Sequence, residues 1–197
     1  MTANDPFNAR EVRGRRGGHV KAPLTRDLVV SEALRQLKED GLAGMSLRKI
    51  ALALETGPAS LYVYVDDLDA LHALVLDRAL ADVDVSGGRH RAWRERIKAV
   101  LTSYARVLFA SRGLAQLALG TVAVGPNALR ILDALLGMLS AGGVAPNTAA
   151  WAVDLLVLYV TAIAAERSER ADPGDPVGPI AQALARAPSE TYPHLHA

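Results

Sequence analysis

Cysteine is absent from the 197-residue chain. Disulfides, thiolate nucleophiles and cysteine-ligated zinc are thereby excluded. Aromatic side chains are scarce, at 5%. Alanine and leucine carry the apolar half of the composition, which favours helix over sheet. A large charge of one sign is also missing. The formal net charge is +1, so no global cationic character draws the chain to nucleic acid. No glycine-rich phosphate loop with its lysine occurs, and no internal repeat is visible. The five histidines are His19, His72, His90, His194 and His196. His72 has a carboxylate at helical spacing, Asp69, but no nucleophile accompanies the pair; a solvated helix pair is the plainer reading. His194 and His196 fall in a tail. No catalytic residue, metal site or cofactor follows from this inventory, and an enzyme is not expected.

Long hydrophobic runs are few. Residues 1–20 hold none after their charges, so no signal peptide is expected and the cytoplasm is the expected compartment. The most membrane-like segment, 149–165, is about as short as a span can be and contains Asp154. It reads as a helix buried in protein.

Charge is unevenly placed. Arg10, Arg13, Arg15, Arg16, Lys21 and Arg26 are opposed only by Glu11. From Gly113 to Ala165 the only charged residues are Arg130, Asp133 and Asp154. One end is polar and cationic; the middle of the C-terminal half is nearly uncharged.

The segment 45–71 is the most specific. Leu47, Ile50, Ala51 and Leu54 repeat at helical spacing. Ser46 stands before them, where its hydroxyl caps free backbone N–H groups. Pro58 opens a second helix expected to reach Val65, with Leu61 and Val65 on its apolar side. Two helices this short need a third to lean on. That third is Asp27–Asp40, apolar at Val30, Ala33, Leu34 and Leu37, and closed by Gly41. A three-helix unit with a short exposed second helix is how a helix-turn-helix meets the DNA major groove.

Further helices are expected over 68–85, 92–110, 113–119, 126–141, 146–167 and 177–187. The fold class is therefore all-α. Three parts are expected: a basic arm (1–23), a helix-turn-helix domain (24–67) and a helical regulatory domain (68–197).

The chain resembles the tetracycline-repressor family of bacterial regulators. The resemblance rests on Leu24-Thr25, Gly41-Leu42, Ser46-Leu47-Arg48-Lys49, Leu61-Tyr62 and Val65, and continues through Trp93, Tyr104 and Leu119-Gly120-Thr121. It implies a homodimeric, DNA-binding repressor released from a palindromic double-stranded operator by a small effector. Arg48 and Lys49 lie off the apolar stripe of their helix. Arg48 either reaches a base edge or is an ordinary surface arginine. Ala59, Ser60 and Val63 would face bases, and Tyr62 and Tyr64 would reach phosphates. Thr25 either caps its helix or also holds a phosphate. Arg15 and Arg16 sit in an arm that follows a minor groove or merely solubilises the chain.

The family pairs through its last two helices, which here correspond to 148–167 and 177–187. Tyr104, Leu108, Thr121, Asn127, Ile131, Trp151 and Asp154 are the candidate ligand residues, with packing or capping as the alternative for each polar one. Asp154 needs a partner if buried; Arg130, a second subunit or a cationic ligand would serve. The tetracycline repressor's metal-binding histidine and drug-contacting asparagine correspond to Ala118 and Val100 here. An apolar or aromatic effector bound without metal is expected, and no membrane.

Two positions depart from the family pattern. Glu55 stands where the turn between the short helices begins with glycine. Leu68, flanked by Asp66, Asp67 and Asp69, stands where a phosphate-contacting lysine is common. Those carboxylates either cap the next helix and point away from DNA or weaken DNA binding. The alternative function is a helical small-molecule binder that has lost or weakened its grip on DNA.

Overall fold

The computed structural model describes residues 6–7, 24–88, 92–169, 178–188 and 190–195. Among them there is no strand. The helices are α1 (Arg26–Asp40), α2 (Leu47–Ala53), α3 (Pro58–Leu61), α4 (Leu68–Leu80), α5 (Trp93–Phe109), α6 (Leu114–Gly120), α7 (Pro126–Ala141), α8 (Pro146–Glu169) and α9 (Gly178–Arg186).

The head is α1–α3. Val29, Ala33, Leu37, Ile50 and Leu61 are fully buried there. Burying a side chain of this size is worth about 1.5–3 kcal/mol, which is what makes helices of seven and four residues possible. The caps are local. Thr25 Oγ1 accepts from Leu28 N at 3.2 Å, Ser46 Oγ from Lys49 N at 3.3 Å, and Asp67 Oδ1 from Ala70 N at 2.7 Å. Asp67 is thus the N-cap of α4, the first of the two roles open to the carboxylates.

Two helices end sooner than the sequence suggests. The second helix of the motif stops at Leu61, and Val65 is reached through a turn in which Val65 N donates to Leu61 O at 3.0 Å. α4 stops at Leu80 rather than continuing to Val85. Its last carbonyls are taken by a side chain instead of by further helix: Arg130 Nη2 donates to Leu80, Ala81 and Val83 O at 3.4, 3.1 and 3.1 Å.

α4 is the element shared by head and body. It packs on α1 at one side and on α7, α6 and α5 at the other. The body is α5, α7 and α8 in mutual contact, with α6 lying on α8 and α4. Head and body also meet where Gly113 opens α6. Its φ is 78°, and a methyl group there would lie 2.6 Å from Leu42 N. Glycine is required by both the left-handed backbone and the close approach.

The segment read as a helix buried in protein is α8, and within the single chain it is buried on one side. Ala149, Val153, Thr161, Ala164 and Ala165 are buried, while Trp151, Leu155, Leu158 and Tyr159 are 52–76% exposed. By length and composition α8 could cross a membrane. Its apolar character is nevertheless two-sided: one face is occupied by α5, α6 and α7, and the other is exposed among the described residues.

Candidate DNA-binding and effector sites

The helix-turn-helix face is built from residues that the head's own core does not use. Arg48, Lys49, Ala59, Ser60, Tyr62 and Val63 are exposed, and Tyr64 is half-buried. Leu61 and Ile50 are buried on the other side, where α2 packs on α1 and α3 packs on α2. The outer rim is therefore presented by a packed support. Lys49 Nζ is paired with Asp40 at 3.4 Å. The Tyr64 carbonyl accepts from Arg26 Nε at 3.3 Å, tying the turn after α3 to the start of α1. Thr25 is exposed and caps α1; its hydroxyl hydrogen is left to reach a neighbouring acceptor. Arg15 and Arg16 lie outside the described residues.

The turn between α2 and α3 keeps a left-handed residue. Glu55 has φ 49°, while Gly57 has φ −80° and caps α3. The missing glycine has not moved the left-handed position; Glu55 occupies it at a conformational cost.

The seven candidate ligand residues occupy different settings. Leu108 and Ile131 are core residues. Tyr104 is buried and bonded to Thr161 at 2.7 Å. Thr161 donates to Val157 O at 2.8 Å, so the tyrosine hydroxyl donates to Thr161. Burial pushes the Tyr104 phenol above its ordinary pKa, opposed by that hydrogen bond, and the group stays neutral. Thr121 lines a groove of about 370 Å³ with Asp69, His72, Ala73 and Val122. Asn127 donates its amide to Asp77 at 2.9 Å. Trp151 and Asp154 are exposed on the outward side of α8. Asp154 needs no buried partner there, and Arg130 is engaged with the end of α4 instead.

Sequence reasoning missed Asp77. Its carboxylate is buried on α4 and accepts from Asn127 N, Asn127 Nδ2 and Ala128 N at 2.9, 2.9 and 3.1 Å. A carboxylate at the first turn of α7 satisfies orphan N–H groups and complements the helix dipole. The available signal was the one noticed at Asp154, a lone carboxylate within an apolar run, here Leu74-Val75-Leu76-Asp77.

Residues 88–197, more than half of the chain, match the family model described as "Tetracyclin repressor-like, C-terminal domain". The chain belongs to the tetracycline-repressor family. An HTH-type transcriptional regulator of Saccharopolyspora erythraea is 33% identical over 131 residues, which is 66% of this chain and 56% of that protein. The HTH-type transcriptional repressor DrrR1 of Streptomyces coeruleorubidus is 29% identical over 73% of this chain and 54% of its own length. The chain thus spans little more than half the length of these curated relatives. The solved structure of ActR from Streptomyces coelicolor in complex with actinorhodin has 36% identity and a TM-score of 0.76, covering 88% of this chain and 84% of ActR. The all-α architecture, with its helix-turn-helix head and helical body, is that of tetracycline-repressor-like regulators.

Proposed function

We propose that this tetracycline-repressor-like protein is a homodimeric repressor whose operator binding is relieved by a small apolar or aromatic effector, without metal. The observation that carries the DNA-binding part is the exposed rim Arg48, Ala59, Ser60, Tyr62 and Val63 on helices anchored by buried Ile50 and Leu61. Arg48 reads a base edge; Tyr62, Tyr64 and Thr25 position phosphates; Lys49, Arg15 and Arg16 add charge.

The bare stripe of α8 supports pairing. Trp151, Leu155, Leu158 and Tyr159 follow one another at helical spacing and are exposed in the single chain. An apolar face of this kind is stable when a second copy covers it, and α9 is the natural flank. The opposite face of α8 is packed on the body. Such a regulator works in the cytoplasm. A two-fold dimer places two recognition helices about 34–36 Å apart, one turn of DNA.

The effector would act on the body and move α4. A relative was solved with actinorhodin, which supports a small organic molecule as the signal. Tyr104, Leu108, Thr121, Asn127 and Ile131 remain the nearest candidates for its surroundings. The second reading, a ligand binder without DNA binding, rests on Leu68 and the aspartates. Asp67 turned into a helix cap weighs against it.

The test is selection of random-sequence duplex DNA on the purified chain, followed by footprinting and by screening compounds for release. A protected, near-palindromic site released by an organic compound is the expected result. Failure to protect any duplex, or a monomer at working concentration, overturns the reading.

A further inference from the structure

Two left-handed glycines face each other across the junction of head and body. Gly41 closes α1 at φ 74°, and Gly113 opens α6 at φ 78°. A methyl group on Gly113 would lie 2.6 Å from Leu42 N, 3.2 Å from Leu37 Cδ1 and 3.3 Å from Gly41 C. All three atoms belong to the head. The start of α6 is thus in close contact with the end of α1 and with the 3-10 turn Leu42–Gly44 that follows it.

Both sides of this contact are held from behind. On the body side, Gln116 Nε2 donates to Ala165 O at 3.1 Å and to Ser168 Oγ at 3.0 Å, which fastens α6 to α8. Leu114, Ala115 and Leu117 are buried beside it. On the head side, Leu37 is fully buried, and Met45 N donates back to Leu42 O at 3.2 Å. Close-packed interiors transmit strain instead of absorbing it. Pressure at Gly113 is therefore relieved by turning the head relative to the body about the helix they share, α4. The contact is also one-sided. Overlap of atoms is resisted steeply, whereas separation forfeits only weak attraction.

We propose that Gly113 is a positioning residue: its bare backbone sets how near the head lies to the body, and through that the half-site spacing that a dimer accepts. The spacing rests on the homodimeric DNA-binding reading above; the contact does not. Ordinary contact begins at 3.4 Å, so a side chain at position 113 requires the Leu42 backbone to retreat by about 0.8 Å. A tilt that opens this point displaces the recognition helix further, because that helix lies beyond the contact on the same packed head.

Gly143 supplies the control. It has the same φ of 78°, and a methyl group there meets nothing within 4 Å. Asparagine enters left-handed backbone more readily than other side chains. Gly113→Asn and Gly143→Asn therefore differ in what the new side chain meets, not in backbone conformation. The chain has no cysteine, so Leu52→Cys in the head and Lys98→Cys in the body, both exposed, carry spin labels without background. In protein diluted with unlabelled chain, the distance between the labels should shift by about 1 Å or more in Gly113→Asn and stay in place in Gly143→Asn. Duplexes carrying the half-sites selected by the unsubstituted chain, with spacers one base pair apart, give the second readout. The affinity ratio between neighbouring spacers should change about fivefold or more in Gly113→Asn and hold in Gly143→Asn. An unmoved label distance in Gly113→Asn, or an equal shift in Gly143→Asn, overturns the contact as the element that sets the head. A moved distance with an equal loss of affinity on every spacer overturns the spacing role. If the unsubstituted chain selects no duplex, the regulator reading fails, while the label distance still decides whether Gly113 positions the head.

Discussion

Asp77 and Asn127, fifty residues apart in sequence, are joined twice: the same carboxylate accepts from the asparagine's backbone N and from its side-chain Nδ2, both at 2.9 Å. One belongs to the helix shared with the head, the other to the first turn of α7. A third bond, from Ala128 N at 3.1 Å, completes the cap.

Removing this carboxylate should cost stability. Asp77→Ala leaves three donors, one buried and two part-buried, without their acceptor; an unsatisfied buried group costs about 1–3 kcal/mol, and water entering the space offsets part of this. Asp77→Asn keeps the volume and should cost less. Denaturant midpoints order the variants wild type, Asp77→Asn, Asp77→Ala. If the cap also relays the effector signal, Asp77→Asn should bind operator normally and respond less to the releasing compound.

Arg48→Ala should lower specific operator affinity by about 1–3 kcal/mol and relax the preference at one base pair. Nonspecific binding should change little. Lys49→Ala should instead weaken all sequences nearly equally and reduce the salt slope by about one unit or less. Titrations against operator and scrambled duplex at several salt concentrations separate the two. Equal losses on both duplexes for Arg48→Ala would remove its assignment to a base.

Glu55→Gly should stabilise the head. A non-glycine residue at φ 49° is strained by about 1–2 kcal/mol. Glycine relieves this but gains unfolded-state freedom worth about 0.4–1 kcal/mol. The net expected gain is about 1 kcal/mol at most, with an unchanged denaturant slope. A lowered midpoint would mean that the glutamate side chain's own interactions outweigh the backbone strain.

The His72 imidazole is held below its ordinary pKa, chiefly by burial, with Asp69 acting in the opposite sense. The folded protein therefore binds fewer protons at this position than the unfolded chain as pH falls past about 6.5. Stability rises with pH wherever the unfolded state binds more protons. The contribution is complete above the unfolded pKa and is lost as pH drops through the folded one. Urea midpoints measured from about pH 7.5 down to about 5.5, the window where histidine titrates, should fall for wild type and fall less for His72→Gln. Asp69→Asn, which leaves burial unopposed, should steepen the decline.

Much of this molecule was legible in its residues because its signals are local. The 3.6-residue spacing of Leu47, Ile50, Ala51 and Leu54, the cap at Ser46, Pro58 at a helix start and Gly41 at a helix end each act within a turn or two. The rim residues Arg48, Ala59, Ser60, Tyr62 and Val63 fell outside those apolar stripes and are exposed, as their spacing implied. The missed features are long-range. Asp77 beside Arg78 looks like a solvated pair until α7 is placed on α4. Arg130 looks like a surface cation until its guanidinium meets three carbonyls some fifty residues away. Trp151 and Asp154 failed for a different reason: helical periodicity finds an apolar face but does not say whether the same chain covers it. α8 has two such faces, and its own body takes only one.

The two fastenings between α4 and α7, Asp77 at one helix start and Arg130 one turn later, behave like a pair of pins through one bar. Two pins leave a single axis of rotation. From Asp77 back to Leu68 the bar is about 13 Å long, at 1.5 Å per residue. A tilt of only a few degrees of α7 in the body would therefore swing the far tip of α4, and the head fixed to it, through a defined arc rather than a loose wobble. Retuning such a protein to a differently spaced operator would call for changes in the angle between the pins, leaving the recognition surface itself untouched.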